Sequence, residues 1–197
     1  FNLKKNDKFG IFEIGMDQKG EINNLSKIIK PDVGVITNIS YAHIKNFKNI
    51  NEIALAKSEI IKNIKNNGYL ILNKDDKFYK FHEKIGLKRN LKILSFSLKN
   101  KDATTNLNSI SKERSKYKIF VNINKNKTYF YSNSIFENDL KNLLTAITII
   151  SIFKNIQKLD KNIFYNHKIT NGRGDIMKVR LFQKNFFLVD ESYNSNP

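Results

Sequence analysis

The sequence predicts an α/β fold, in which a doubly wound, mostly parallel sheet with flanking helices is joined by a small β-hairpin region. Two observations lead to this prediction. Apolar segments of strand length alternate four times with helical segments, and the strand at residues 32–39 (DVGVITNI) is apolar on both faces, as a parallel strand between two helix layers should be. With 197 residues, 40% of them hydrophobic, the chain can form one substantial core, or one domain and part of another.

Local signals define the elements of the alternating region. Residues 8–14 (KFGIFEI) form the first predicted strand, and a helix over residues 21–30 is stopped by Pro31, which cannot continue a helix. The remaining predicted elements of this region are the strand at 32–39, a helix at 51–66, a strand at 68–73, a helix at 75–85 and a strand at 91–96.

The pattern changes after residue 98. Residues 99–118 are polar and are expected to be irregular, whereas residues 117–124 and 127–132 are expected to form a hairpin. Apolar residues at helical spacing predict a long helix at 139–155. The last predicted elements are a shorter helix at 160–167, a glycine-flanked hinge at 171–174, and two strands at 177–182 and 185–189.

The chain is strongly basic, with 35 Lys and Arg against 18 Asp and Glu and a formal charge of +17. A non-catalytic, basic nucleic-acid-binding domain is therefore one hypothesis, because clustered cations release counterions from phosphates. Against it, only four of these residues are arginines, which make bidentate phosphate and base contacts, and the lysines are spread along the chain. We favour compositional drift, with Lys, Asn and Ile enriched together, over a specific nucleic-acid surface.

Several classes of protein are excluded by composition. Without cysteine there is no disulfide, thiolate nucleophile or zinc–thiolate site, which fits a reducing compartment. The longest apolar run, residues 143–153, is interrupted by hydroxyl residues and is shorter than the roughly 18 residues of a membrane span. The chain begins with Phe1 rather than Met and stops within a motif, so we expect it to be a piece of a longer protein.

Polar residues at the ends of the predicted strands are the first candidates for a site. Glu13 ends the first strand, Asn38 ends the second, and His43 follows in the next loop. Because ligands of open α/β sheets bind beyond the carboxyl ends of the strands, Glu13 and His43 could together hold a divalent ion. The alternative for each is structural: a strand-end ion pair for Glu13 and a loop histidine without a role for His43.

Lys57 is the most informative lysine. It shares one helix face with Ile53, Ile60 and Ile64, so it is expected to point inward, with its amine near Glu13 and His43. Desolvation would lower the pKa of the amine, and a neutral amine can add carbon dioxide to become a carbamate, an acidic metal ligand. The alternative is a lysine whose charged head returns to solvent.

Six motifs occur in a fixed order along the chain. They are 12–22 (FEIGMDQKGEI), 36–44 (ITNISYAHI), 53–60 (IALAKSEI), 73–76 (NKDD), 172–174 (GRG) and 192–197 (SYNSNP). In this order they resemble the Mur ligases, most closely those of the MurF type, which join D-alanyl-D-alanine (D-Ala-D-Ala) to the UDP-N-acetylmuramoyl tripeptide. The resemblance covers the chain except for about residues 97–135.

The resemblance implies an ATP-dependent amide-bond ligase with a metal site. Glu13 and His43 would be metal ligands, and Lys57 would be the carbamylated lysine that helps to hold Mg2+ against the terminal phosphate of ATP. Since His43 offers nitrogen and Mg2+ prefers oxygen, Mn2+ is expected to substitute.

The resemblance also implies nucleotide-binding residues. Asn142 matches the asparagine on the adenine side, Arg173 matches the nucleotide-contacting arginine, and Asp190 or Glu191 matches the acidic residue near the ribose. The family usually has two asparagines three residues apart on that helix, and Asp139 stands at the first of these positions.

None of the eight glycines is followed by Lys-Ser or Lys-Thr, so the phosphate-binding loop G-x-x-x-x-G-K-[ST] is not in this sequence. By the resemblance, residues 1–170 are the central ATP-binding domain without its beginning, and residues 171–197 start the C-terminal ligase domain. The resemblance also implies that the protein is a cytoplasmic monomer that takes part in peptidoglycan precursor synthesis. A folylpolyglutamate synthase-like ligase and a non-catalytic remnant are the alternatives.

Overall fold

The computed structural model describes residues 4–41, 46–165 and 175–190. Its main sheet has six strands, arranged in chain order from β1 to β6. They are β1 (Val33–Ile36), β2 (Tyr69–Asn73), β3 (Lys92–Ser97), β4 (Thr105–Glu113), β5 (Lys116–Ile123) and β6 (Asn126–Ser132). Strands β1 to β4 pair in parallel, and β4 to β6 pair antiparallel. The mostly parallel sheet and the hairpin predicted from the sequence are therefore confirmed.

Helices cover both faces of the sheet. They are α1 (Glu21–Ile29), α2 (Ile50–Lys57), α3 (Glu59–Asn63), α4 (Tyr79–Lys88) and α5 (Glu137–Phe153), and a short 3-10 helix spans Ile156–Lys158. Leu70 and Leu72 of β2 pack in a cluster with residues of α1 to α4, whereas Ile71 packs in a second cluster with α5. Alternate residues of one strand thus enter two cores, as the apolar character of both strand faces predicts. A separate two-stranded sheet contains β7 (Asp175–Leu181) and β8 (Lys184–Asp190).

The chain before β1 departs from the prediction. Helix α1 forms and ends next to Pro31 as expected, but residues 8–14 have no regular secondary structure. In the described part of the chain β1 pairs with β2 alone, so residues 8–14 do not add a strand to the open edge of β1.

The single helix predicted at 51–66 is divided at Ser58. Its hydroxyl donates a 2.6 Å hydrogen bond to the carbonyl of Leu55, the group that the amide of Glu59 would use in a continuous helix. The amide of Ile61 instead bonds the carbonyl of Ser58, only three residues before it. This division makes Lys57 the last residue of α2.

Two other predictions were wrong, and in both a neighbouring strand decides the conformation. Residues 99–118 are not irregular throughout, because Thr105–Glu113 form β4 between β3 and β5 despite their polar sequence. Residues 161–165 form turns rather than a helix, and the carbonyl of Lys161 accepts a 2.7 Å hydrogen bond from the amide of Tyr131 on β6. The predicted hinge at 171–174 lies outside the described residues. Within the described ranges, no helix has both the length and the apolar character needed to cross a bilayer.

Helix α4 is fastened to α2 by a buried histidine. His82 is 2% exposed, and its Nε2 lies 3.0 Å from the carbonyl oxygen of Ala54, so this nitrogen carries the proton and donates. Burial lowers the pKa of His82, while the bond to Ala54 and the charge of Asp76 oppose that change. The imidazole is therefore held neutral inside the core.

Replacing Gly68, which precedes β2, is expected to destabilise the fold. An alanine Cβ there would lie 2.7 Å from the backbone oxygen of Asp32 and 2.8 Å from that of Lys65, and neither backbone atom can move without shifting the sheet. We expect Gly68→Ala to lower the free energy of unfolding by about 1–3 kcal/mol, measured by urea denaturation. Gly15→Ala is the matched control, since nothing lies within 4 Å of its added Cβ, and an equal loss in both variants would contradict the steric explanation.

The neutral state of His82 predicts a pH dependence of stability. Because its folded pKa is lowered, the unfolded chain binds the proton first, and stability is lost as pH falls below the unfolded value of about 6.5, by up to about 1.4 kcal/mol per pH unit. His82→Gln keeps a donor for Ala54 but does not titrate. Between pH 7.5 and pH 5.5, the melting temperature should fall less in this variant than in the original protein. Equal decreases would refute the assignment.

Candidate active site at the carboxyl edge of the parallel strands

Three connections meet at the carboxyl edge of the parallel strands. Asn38 follows β1, Asp75 and Asp76 follow β2, and Lys99 follows β3. Helix α2 ends beside this edge, because the Nζ of Lys57 donates a 2.7 Å hydrogen bond to the carbonyl oxygen of Asn38. The sheet therefore brings the amine of Lys57 and the carboxylate of Asp76 to the edge where open α/β sheets bind their ligands.

The amine of Lys57 is in an unusual environment for a lysine. The residue is partly buried, and desolvation lowers the pKa of its amine, while the negative charge of Asp76 opposes this change. The inward orientation predicted from the isoleucine stripe fits this partial burial. A lowered pKa makes the neutral, nucleophilic amine accessible nearer to neutral pH than that of an exposed lysine.

Asp76 joins the ends of β1 and β2. Its Oδ2 accepts a 2.9 Å hydrogen bond from the amide of Ile39, and its Oδ1 accepts a 2.8 Å bond from the amide of Phe78. The second bond belongs to the turn that delays the start of α4 to Tyr79, four residues after the start predicted from the sequence. Asp76 was part of a motif in the sequence, but its spacing gave no sign of these contacts.

A second carboxylate holds the segment that follows Glu13. Glu59, two residues after Lys57, accepts hydrogen bonds of 2.8 and 3.1 Å from the amide of Gly20 and one of 3.0 Å from that of Asn23. Gly20 has a left-handed backbone (φ 93°) and no side chain to cap α1, so Glu59 caps the helix from another element. The chain from Glu13 to α1 is thereby tied to the region of Lys57.

The predicted metal ligands are only partly described. Glu13 is exposed, His43 lies outside the described residues, and the charge that acts on Lys57 is that of Asp76. In the described ranges, no three His, Asp or Glu side chains are close enough to hold a metal ion. The expected proximity of Lys57 to Glu13 and His43 stays a prediction.

The predicted nucleotide-binding residues lie on two elements. Asn142 is exposed on α5, and the start of this helix lies near the same edge of the sheet, since Glu137 interacts electrostatically with Lys99 and Asp75. Asp190 is the last residue of β8. Arg173 and Glu191 are outside the described residues.

Asp139, which stands where the family has its first asparagine, accepts a hydrogen bond from the hydroxyl of Ser134. Its carboxylate is thus engaged by the segment that leads into α5.

A family model, the Mur ligase middle domain, matches residues 1–150. Three similar curated proteins are UDP-N-acetylmuramoyl-tripeptide–D-alanyl-D-alanine ligases. That of Buchnera aphidicola subsp. Baizongia pistaciae is 27% identical over 99% of this chain, that of Rickettsia prowazekii 29% over 100%, and that of Borreliella burgdorferi 30% over 98%. The chain spans only 40–43% of the length of these relatives.

Solved structures agree with this similarity at the level of the fold. A crystal structure of MurF from Acinetobacter baumannii has a TM-score of 0.84 at 22% identity, and it matches 98% of this chain and 41% of its own. MurF from Thermotoga maritima in complex with ADP has a TM-score of 0.72 at 21% identity, over 90% of this chain and 39% of its own. With a family model that matches more than half of its residues, the chain belongs to the Mur ligases through their middle domain.

Proposed function

We propose that the chain is the central part of an ATP-dependent ligase that joins D-Ala-D-Ala to the UDP-N-acetylmuramoyl tripeptide, with residues 1–170 in its ATP-binding domain and 171–197 at the start of its C-terminal domain. The observation that carries the proposal is the partly buried amine of Lys57 at the carboxyl edge of the parallel strands, 2.7 Å from the carbonyl of Asn38. Relatives that align along nearly the whole chain are named as ligases of these two substrates, and this supports the proposed substrates. We further propose that the enzyme is a cytoplasmic monomer in peptidoglycan precursor synthesis.

The proposed reaction has two steps. The substrate carboxylate takes the terminal phosphoryl group of ATP, so that ADP leaves and an acyl phosphate forms. The amine of the dipeptide then attacks the acyl carbon, an amide bond forms, and inorganic phosphate leaves with loss of a proton from the nitrogen. Both steps concentrate negative charge near the transferred group, so this chain must contribute groups that hold cations there.

The residues proposed as metal ligands fit a hard divalent cation by their chemistry. Glu13 supplies an exposed carboxylate, and the lowered pKa of Lys57 favours the neutral amine from which a carbamate with two oxygens forms. With His43, these residues would hold Mg2+, or Mn2+ in its place. When bound, the ion would neutralise charge on the phosphoryl oxygens.

The nucleotide would be held on the other side of the same edge. Asn142 is exposed on α5 and would face the adenine, and Arg173 with Asp190 or Glu191 would contact the rest of the nucleoside. The MurF of Thermotoga maritima, whose fold resembles that of this chain, is in complex with ADP, which supports a nucleotide as the ligand.

Replacing Lys57 should abolish ligation in the full-length protein. We expect Lys57→Ala and Lys57→Arg to lower kcat by about 100-fold or more, because neither side chain can form a carbamate that positions charge at the phosphoryl group. Short carboxylates such as formate should restore part of the rate in Lys57→Ala, where they can occupy the vacated space, but not in Lys57→Arg. The measurement is phosphate release coupled to formation of the peptide product.

Lys62→Ala is the matched control, since Lys62 is exposed on the neighbouring helix α3 and should be replaceable without effect. Undiminished ligation in Lys57→Ala would mean that the lysine has a structural role, and the proposed site would be wrong.

The isolated segment 1–197 should bind ATP weakly and should not hydrolyse it. Asn142, Arg173 and Asp190 can contact the adenosine, but the sequence has no phosphate-binding loop to provide backbone amides and a lysine for the phosphates. Calorimetry at moderate salt, with GTP as the control, separates specific binding from diffuse attraction to the many lysines. Micromolar binding that prefers ATP over GTP would show that the nucleotide site has been misplaced.

A further inference from the structure

We propose that Asp76 is a positioning residue for Lys57, which acts through the peptide group between Asn38 and Ile39. This inference rests on the proposed function, because it assigns a residue that sets the direction of the Lys57 carbamate. It also gives a role to the second aspartate of the 73–76 motif, which neither the metal site nor the nucleotide site uses.

One peptide group lies between the amine and the carboxylate. Its carbonyl oxygen, from Asn38, accepts the 2.7 Å hydrogen bond of the Lys57 Nζ, and its N–H, from Ile39, donates the 2.9 Å bond to the Oδ2 of Asp76. The described chain has no cis peptide bond, so the C=O and N–H of this group point in opposite directions. Lys57 and Asp76 therefore bond to opposite edges of the same planar peptide group.

This arrangement couples the two side chains. A carboxylate that accepts the N–H of a peptide group polarises the group and makes its carbonyl a stronger acceptor. The nitrogen of Lys57 retains a hydrogen as an ammonium, as a neutral amine and as a carbamate, so it can donate to Asn38 in every state. When the neutral amine adds carbon dioxide, the new N–C bond forms and one proton leaves, and the remaining N–H can keep the nitrogen anchored to Asn38.

Asp76 is itself held rigidly. Its Oδ1 accepts the amide of Phe78 at 2.8 Å, just before α4, and Ile39 is 8% exposed within the core. Helix α4 also fixes the backbone near Lys57, because His82 bonds the carbonyl of Ala54, three residues earlier on α2. Contacts from α4 and from the turn before it thus fix the backbone near Lys57 and the peptide group to which its nitrogen bonds.

Asp75 provides a matched control within the same motif. Its Oδ1 accepts a 2.5 Å hydrogen bond from the hydroxyl of Ser97, and its Oδ2 accepts a 2.7 Å bond from the amide of Leu98. Its two bonds go to the last residue of β3 and to the residue after it, and neither bond involves the peptide group that holds Lys57. If Asp76 only stabilised its loop, replacing Asp75 or Asp76 would have the same effect on ligation.

The test compares Asp76→Asn with Asp75→Asn in the full-length protein. An asparagine at 76 has one acceptor oxygen for two peptide N–H groups, so one bond is lost. We expect Asp76→Asn to lower kcat by about 10- to 100-fold, the usual effect of losing a group that orients a ligand, with KM for ATP within about two-fold. In 13C-bicarbonate, the carbamate NMR signal that disappears in Lys57→Ala should be weakened in Asp76→Asn and retained in Asp75→Asn.

Unchanged rate and carbamate signal in Asp76→Asn would overturn the inference, and so would equal losses in both aspartate variants at equal thermal stability. All rates are measured where circular dichroism shows a folded protein. If Asp76→Asn does not fold, Asp76→Glu replaces it, since the longer side chain moves the carboxylate relative to Ile39, and a rate equal to that of the original protein would overturn the inference. Full activity in Lys57→Ala would instead refute the proposed function, whatever the aspartate variants do.

Discussion

Burial of both faces of the parallel strands is the constraint on which the rest of the structure depends. In β2, Leu70 and Leu72 enter the core shared with α1 to α4, while Ile71 enters the core shared with α5. A strand enclosed in this way has no face for polar chemistry. Polar side chains can collect only where the strands end, and the carboxyl edge is where Asn38, Asp76 and Lys57 meet.

Carboxylates from distant elements satisfy backbone amides around that edge. Glu59 caps α1, Asp76 holds the peptide after β1, and Asp75 holds the turn after β3. None of these amides has a hydrogen-bond partner within its own helix or strand, and an ionised carboxylate is a strong acceptor for such an amide. The bonds of Glu59 and Asp76 thus stabilise these loops and also fix the geometry around Lys57, whereas those of Asp75 hold only the chain at the end of β3.

The environment of Lys57 balances two opposing effects. Desolvation lowers the pKa of its amine, and the charge of Asp76 raises it. Lys57 is the last residue of α2, before the break at Ser58, and its amine reaches the carbonyl of Asn38 just beyond β1. A lysine in this position can remain bonded to Asn38 and still lose its proton more readily than an exposed lysine.

The sequence by itself determined the parallel αβ alternation, the hairpin of β5 and β6, and the inward face of Lys57, because each depends on the periodicity of apolar residues along one segment. Tertiary structure decided what depends on a partner distant in sequence. Polar β4 is a strand because β3 and β5 pair with it, whereas residues 8–14 pair with no strand in the described chain. The contact of Asp76 with Ile39 joins residues 37 positions apart, so only the pairing of β1 with β2 brings that carboxylate to the peptide group that holds Lys57.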